Sequence, residues 1–246
     1  LAPAQATMLG HADTTGIPTV DHYITSVDEA PSTDSRYTEQ VTRMYSLGTV
    51  FIDSYQSYSN LIHSSPRTAL LERAKFLEAM HLPRPAHVYI VNQPLYRLHP
   101  RFDATIAKIL NQDRLAYVVL VDAINYTSWQ SFLHSRISGL LGQEAQTRLV
   151  FYSPNDEEDC LRAMAAAHVV LDPFPATGYL PTLQALAIGV PVVTLPGVHM
   201  NSRFALAFYN QMGVSDRIAS DEKPYVDLAL AMSHKPDVRG TVTAQL

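Results

Sequence analysis

Three segments of this 246-residue chain carry the residue types that strand-to-helix loops use to hold ligands: Asn92 to Pro100, Ser153 to Glu158, and Pro173 to Pro181. The third has the strongest signal. It runs Asp172-Pro173-Phe174-Pro175-Ala176-Thr177-Gly178-Tyr179-Leu180-Pro181-Thr182, with one glycine near its centre and a helix expected from Pro181. Gly178 has no Cβ, so a backbone or a ligand can approach it closely. The helix behind it would aim free N–H groups and a partial positive charge at an anion such as a diphosphate. A turn that holds no ligand fits the same residues, because one glycine is a poor phosphate fingerprint.

Other chemistries lack their residues. The sequence has no His-Glu-x-x-His, no Gly-x-Ser-x-Gly and no Walker loop. Its ten histidines are scattered, and His99 and His168 read as structural side chains rather than bases. Asp156, Glu157, Glu158 and Asp159 read as the acidic first turn of a helix, favoured by the helix dipole, rather than a glycosidase pair. Cys160 is the single cysteine, which excludes an internal disulfide and a multi-cysteine zinc site. No metal site and no cofactor is expected.

The elements that would position these loops follow a regular order. Strand-like runs at His87 to Asn92, Tyr117 to Asp122, Arg148 to Tyr152, Val169 to Asp172 and Pro191 to Leu195 alternate with helical patterns. The helices are expected at Arg101 to Asn111, Thr127 to Leu141, Glu157 to Ala167, Pro181 to Ile188 and Ser202 to Met212. Strands rich in Val, Ile and Leu, with helices between them, predict an α/β, doubly wound parallel sheet of Rossmann-like type, in which ligands bind outside the carboxyl ends of the strands. Asn155 and Glu158 have capping-box spacing, and Gly189 before Pro191 predicts the end of the helix that starts at Pro181.

Residues 1–85 read differently. Ser26 to Glu39 is polar and reads as a loop, and Arg67 to Met80 as a helix stopped by Leu82-Pro83. Leu1-Ala2-Pro3-Ala4-Gln5 looks like a sequence entered in mid-domain. We therefore expect two parts, an appendage over residues 1–85 and the regular lobe over residues 86–246.

Composition narrows the partners. A net charge of −5 without a Lys/Arg cluster argues against a nucleic-acid surface and leaves small molecules or proteins. No apolar run reaches the roughly 18 residues of a membrane span. The lone cysteine and the lack of a basic-then-apolar leader point to an intracellular protein, its compartment open. The sequon Asn125-Tyr126-Thr127 is a weak opposing signal, since such triplets arise by chance.

The segment Leu171 to Gly197, LDPFPATGYLPTLQALAIGVPVVTLPG, resembles the donor-binding segment of the O-GlcNAc transferase family. Further similarity covers Val88 to Pro100, Leu1 to Gln5, the Gly10-His11-Ala12-Asp13-Thr14-Thr15-Gly16 turn and Asp21 to Ser26, in collinear order to about Ile218. The resemblance implies the C-terminal lobe of a GT-B glycosyltransferase, with residues 1–85 as the remnant of the N-terminal lobe and the interlobe segment. It implies an inverting transfer of a sugar, GlcNAc by family habit, from a UDP-sugar to a protein acceptor. The nucleotide sugar is then a substrate, with a protein acceptor or partner chain beside it. Carried over onto this sequence, the donor-binding set is Gln93, Arg97, Asn155, Thr177, Gly178, Tyr179, Thr182 and Gln184. Arg97 stands where the family has a diphosphate-binding lysine, and Thr14 and Tyr96 match positions lining the cleft near the sugar. No catalytic residue is assigned.

The sequence also departs from the family's pattern. Tyr179, Leu180 and Pro181 replace a histidine and two threonines at the start of the diphosphate-binding helix, removing a hydroxyl and an N–H. Gln184 replaces the acidic residue for the ribose, Cys160 a uracil-stacking histidine, and Glu157 a lysine. The expectation is weak or absent UDP binding by this chain alone. The alternative function is a non-catalytic glycosyltransferase-like subunit of a larger assembly.

Overall fold

The computed structural model describes residues 2–8, 13–45, 47, 66–122 and 127–234. Two parallel sheets organise them. The smaller contains β1 (Ala6–Met8), β2 (His22–Ser26) and β3 (Gln40–Met44) in that order. The larger contains β4 (His87–Val91), β5 (Ala116–Val121), β6 (Leu149–Tyr152), β7 (Val169–Leu171) and β8 (Val192–Val193). Its order is β6-β5-β4-β7-β8 and every pairing is parallel, as the apolar strand runs predict.

Helices cover both faces. The eight described are α1 (Pro66–Ala79), α2 (Pro100–Gln112), α3 (Thr127–Ser138), α4 (Gln143–Gln146), α5 (Glu157–Ala166), α6 (Leu180–Ala187), α7 (Phe204–Met212) and α8 (Glu222–His234). Side chains of a strand point alternately to opposite faces, so each strand feeds two cores. Val88 and Ile90 pack with Phe76 of α1, Met164 of α5, Leu186 of α6 and Phe208 of α7. Tyr89 and Val91 pack with Ile106 of α2, Leu133 of α3 and Val226 of α8.

Local chemistry sets the helix ends. Gly189, with φ 72°, lets its own N–H reach Leu186 O and the next N–H, from Val190, reach Ala185 O, so α6 ends at the glycine the sequence marks. The start of α5 corrects the expected capping box. Asp156 is the N-cap and accepts from Asp159 N–H at 2.8 Å, while the Asn155 amide donates to the Asp159 carboxylate at 2.7 Å. Both residues suit a cap, and the one adjacent to the helix takes the position.

Other boundaries shift. Helix α6 begins one residue early, at Leu180, and Met200–Ser202 is a 3₁₀ turn ahead of α7. The polar stretch from Ser26 to Glu39 contains a 3₁₀ helix at Pro31–Arg36. Helix α8 was not expected, although Tyr225, Val226, Ala229 and Met232 recur at helical spacing and are buried. The sequon residues Asn125 and Tyr126, and Gly10 to Ala12 of the expected turn, lie outside the described residues.

The winding of the large sheet locates its crevice. From β4 the chain moves outward through β5 and β6, then crosses back to place β7 on the other side of β4. The direction reverses between β4 and β7, so the loops leaving their carboxyl ends must diverge and open a gap. The small sheet is tied to the large lobe through Asp28. Asn210 Nδ2 donates to Asp28 Oδ1 at 2.6 Å, and the Arg203 guanidinium reaches both Asp28 O and Gly197 O.

Candidate functional site

The residues that leave β4 and β7 meet at this gap. Asn92 and Gln93 follow β4, while Asp172 to Gly178 follow β7. A cleft of about 400 Å³ opens beside them, walled by Gln93 and Pro94, Pro154 and Asn155, Cys160 of α5, and the start of α6 at Pro181 and Gln184. Three of the expected donor residues, Gln93, Asn155 and Gln184, thus converge from segments far apart in sequence.

Gln93, in the cleft wall, lies against Gly178. A Cβ on Gly178 would collide with Gln93 Nε2, so a larger residue there must displace the carboxamide lying against it. Gln93 is 5% exposed as a residue, and neither of its amide atoms is among the buried polar atoms left without a partner. The close approach anticipated at Gly178 is therefore made by a side chain of the protein.

Beneath that contact lies Asp172, which the sequence reading did not single out. Its carboxylate is buried and accepts from Gly178 N–H at 3.1 Å and Thr194 hydroxyl at 2.8 Å. Tyr225 of α8 donates to its carbonyl at 3.0 Å. Burial pushes the Asp172 pKa up to about 7, against the opposing pull of those two hydrogen bonds and of the Arg97 charge. A strongly shifted acid under a cleft is a mark of a site; sequence inspection could have found it only as an Asp at the end of a buried strand.

The remaining expected residues separate into two groups. Arg97 ends the 3₁₀ turn Leu95–Arg97 with its N–H donating to Pro94 O at 2.9 Å; it is exposed, and no ion pair of its guanidinium is seen among the described residues. Gln184 lines the cleft with its Nε2 donating to Glu157 Oε1 at 2.8 Å, so a glutamine at this position is held by a carboxylate. Asn155 stands at the rim. Thr177 instead bonds Asn201 O through both its N–H and its hydroxyl, at 2.8 and 3.1 Å, and Thr182 is buried. Tyr179 turns away from the cleft to pack its ring 5.0 Å from Phe204 and 5.5 Å from Phe208.

Thr14 and Tyr96 do not meet in one contact. The Thr14 hydroxyl bonds Thr38 and Glu39, just ahead of β3, at 2.9 and 2.8 Å. Tyr96 is half exposed, its ring 6.4 Å from that of Trp129.

The electrostatics of the cleft are uneven. Asp156 and Glu157 line one side, and no Lys or Arg belongs to the wall, so positive charge must come from Arg97 outside it or from helix N-termini. Cys160 lies at the wall with its thiol 3.5 Å from Asn92 Oδ1, and burial pushes its pKa up to about 11, with Glu157 and Asp159 adding to the rise. It is a packing thiol, not a nucleophile.

A parallel Rossmann-like lobe with a cleft at its topological switch point is the architecture of the C-terminal, donor-side half of GT-B glycosyltransferases. The profile of glycosyl transferase family 41 matches residues 63–246, and the chain belongs to that family. It is 26% identical over 239 residues to a protein of Petunia hybrida named as a probable UDP-N-acetylglucosamine–peptide N-acetylglucosaminyltransferase SPINDLY. The match covers 94% of this chain and 23% of that protein. A protein of the same name from Oryza sativa subsp. japonica is 26% identical over 247 residues, again 94% of this chain and 23% of the relative. The chain thus spans about a quarter of the length of these relatives.

Solved structures agree on the fold. A mutant O-GlcNAc transferase of Thermobaculum terrenum superposes with a TM-score of 0.78 at 23% identity, over 99% of this chain and 43% of that one. WaaG, a glycosyltransferase involved in lipopolysaccharide biosynthesis, gives 0.60 at 10% identity over 95% of this chain and 59% of its own. The family match extends through residue 246, beyond the Ile218 at which the similarity read from sequence fades. No helix among the described residues is long and apolar enough to cross a membrane.

Proposed function

We propose that this lobe binds a nucleotide diphosphate sugar, a UDP-sugar by its kinship, for inverting transfer to a protein side chain. The observation that carries the reading is the cleft of about 400 Å³ at the switch point, lined by Gln93, Asn155 and Gln184. That volume falls within the usual range for small-molecule sites. In this reading Arg97 and the N–H groups opening α6 neutralise the leaving diphosphate, and the lobe acts by positioning and charge stabilisation without a metal or cofactor in the transfer. Residues 1–85, with their own parallel sheet, serve as the end of an N-terminal lobe and the connection to it.

A non-catalytic lobe is the second reading. It draws on Tyr179, which is packed into the protein at the position where the family offers a histidine, and the relatives' names do not favour it. Calorimetric titration of UDP separates the two. The chain should bind UDP, and Arg97→Ala should weaken that binding by about 1.5 to 3 kcal/mol, roughly ten- to a hundredfold, with unchanged stability. No binding by the chain or by a Tyr179→His, Leu180→Thr, Pro181→Thr variant would favour the non-catalytic lobe. Equal affinity in Arg97→Ala would remove Arg97 from the site.

A further inference from the structure

At the opposite, amino end of the large sheet, three side chains from distant parts of the chain converge. His87 opens β4, Asp113 follows α2, and His234 ends α8. One ligand atom from each lies within 4.8 Å of the others. We propose that His87, Asp113 and His234 bind a divalent transition-metal ion of the zinc type, which ties the end of α8 to the sheet.

The geometry fits such an ion in four respects. Two imidazoles bound at about 2.0–2.1 Å to one tetrahedral ion place their ring centres about 5 Å apart, and those of His87 and His234 are 4.9 Å apart. Asp113 is held in place by Tyr89 hydroxyl at 2.9 Å and Leu115 N–H at 2.9 Å, the outer hydrogen bonds that orient a ligating carboxylate. His234 Nδ1 lies 2.6 Å from Leu230 O, so it must donate there, which leaves the Nε2 lone pair for a metal. His87 Nδ1 lies 2.7 Å from Asp113 Oδ2, and an ion entering the triangle takes the place of the proton between them.

The donor set also selects the ion. Two imidazoles and one carboxylate favour zinc, nickel or copper over magnesium or calcium, which prefer oxygen. His168, whose ring is 5.2 Å from His87, is not part of the set: its Nδ1 accepts from Val88 N–H, and Arg73 lies against it. His234 is exposed, which gives the ion a route in.

Zinc titrated by calorimetry into the full chain, stripped beforehand with chelator, tests this. One equivalent should bind with proton release. His234→Ala, at an exposed helix end where folding is not at stake, should weaken that binding at least about tenfold, while the exposed His134→Ala should leave it unchanged. The same order of affinities should appear when cobalt(II) is followed by its visible absorption. Absence of a one-equivalent event, or equal affinity in His234→Ala, would overturn the proposal.

Discussion

At the amino end of the large sheet, buried Arg148 donates to the carbonyls of Leu110, Asp113 and Ala116, and Asp113 is itself held by His87, Tyr89 and Leu115. At the carboxyl end, Gln93 lines an open cleft, no ion pair of Arg97 is seen among the described residues, and Asp172 is buried with a raised pKa. The contrast separates two uses of polar groups. Groups that satisfy one another contribute stability, whereas polar groups that face an open cleft are available to a ligand.

The largest effect should come from breaking the paired end. Arg148→Ala leaves three buried carbonyls without their donor, at about 1 kcal/mol or more each, so urea denaturation should show a loss of about 3 kcal/mol or more. UDP affinity should be unaffected in the fraction that remains folded. A loss under about 1 kcal/mol would mean that the amino end is not the stabilising one.

Asp172 gives the next effect, with a sign fixed by linkage. Its folded pKa of about 7 lies above the unfolded value of 3.8, so its contribution is fully present below about pH 4 and is lost as pH rises through 7. At about 1.4 kcal/mol per unit, the ceiling of that loss is near 4 kcal/mol. Asp172→Asn keeps an acceptor for Gly178 N–H, reverses the Thr194 contact so that the amide donates to the hydroxyl, and cannot ionise. Its stability relative to the parent chain should therefore rise between pH 4 and 7 and then level off. A difference that does not change with pH would contradict the buried, raised acid.

A smaller effect sharpens the centre of the cleft. Gly178→Ala should cost about 1 kcal/mol because the new methyl displaces the Gln93 amide, and Gln93→Ala should abolish that cost. A double-mutant cycle with no coupling would separate the two residues.

Much of the fold was legible because its strands are buried on both faces and read as unbroken apolar runs, and because Gly189 and Pro191 mark a helix end by backbone chemistry alone. Helix α8 was missed although its apolar spacing is regular, since Pro224 sits inside its first turn and reads as an interruption. In the site, the loops were visible but the pairings were not. Nothing in the sequence places Gln93 against Gly178 or turns Tyr179 toward Phe204. The His87, Asp113 and His234 cluster has no short motif, because three elements deliver one residue each.

The most direct test of the contrast is amide hydrogen exchange with and without saturating UDP. Slower exchange should appear at residues 92–97 and 177–184, with no change at residues 113–116 and 230–234. Protection at the amino end, or none at the carboxyl end while UDP is bound, would contradict the assignment of the cleft as the ligand site.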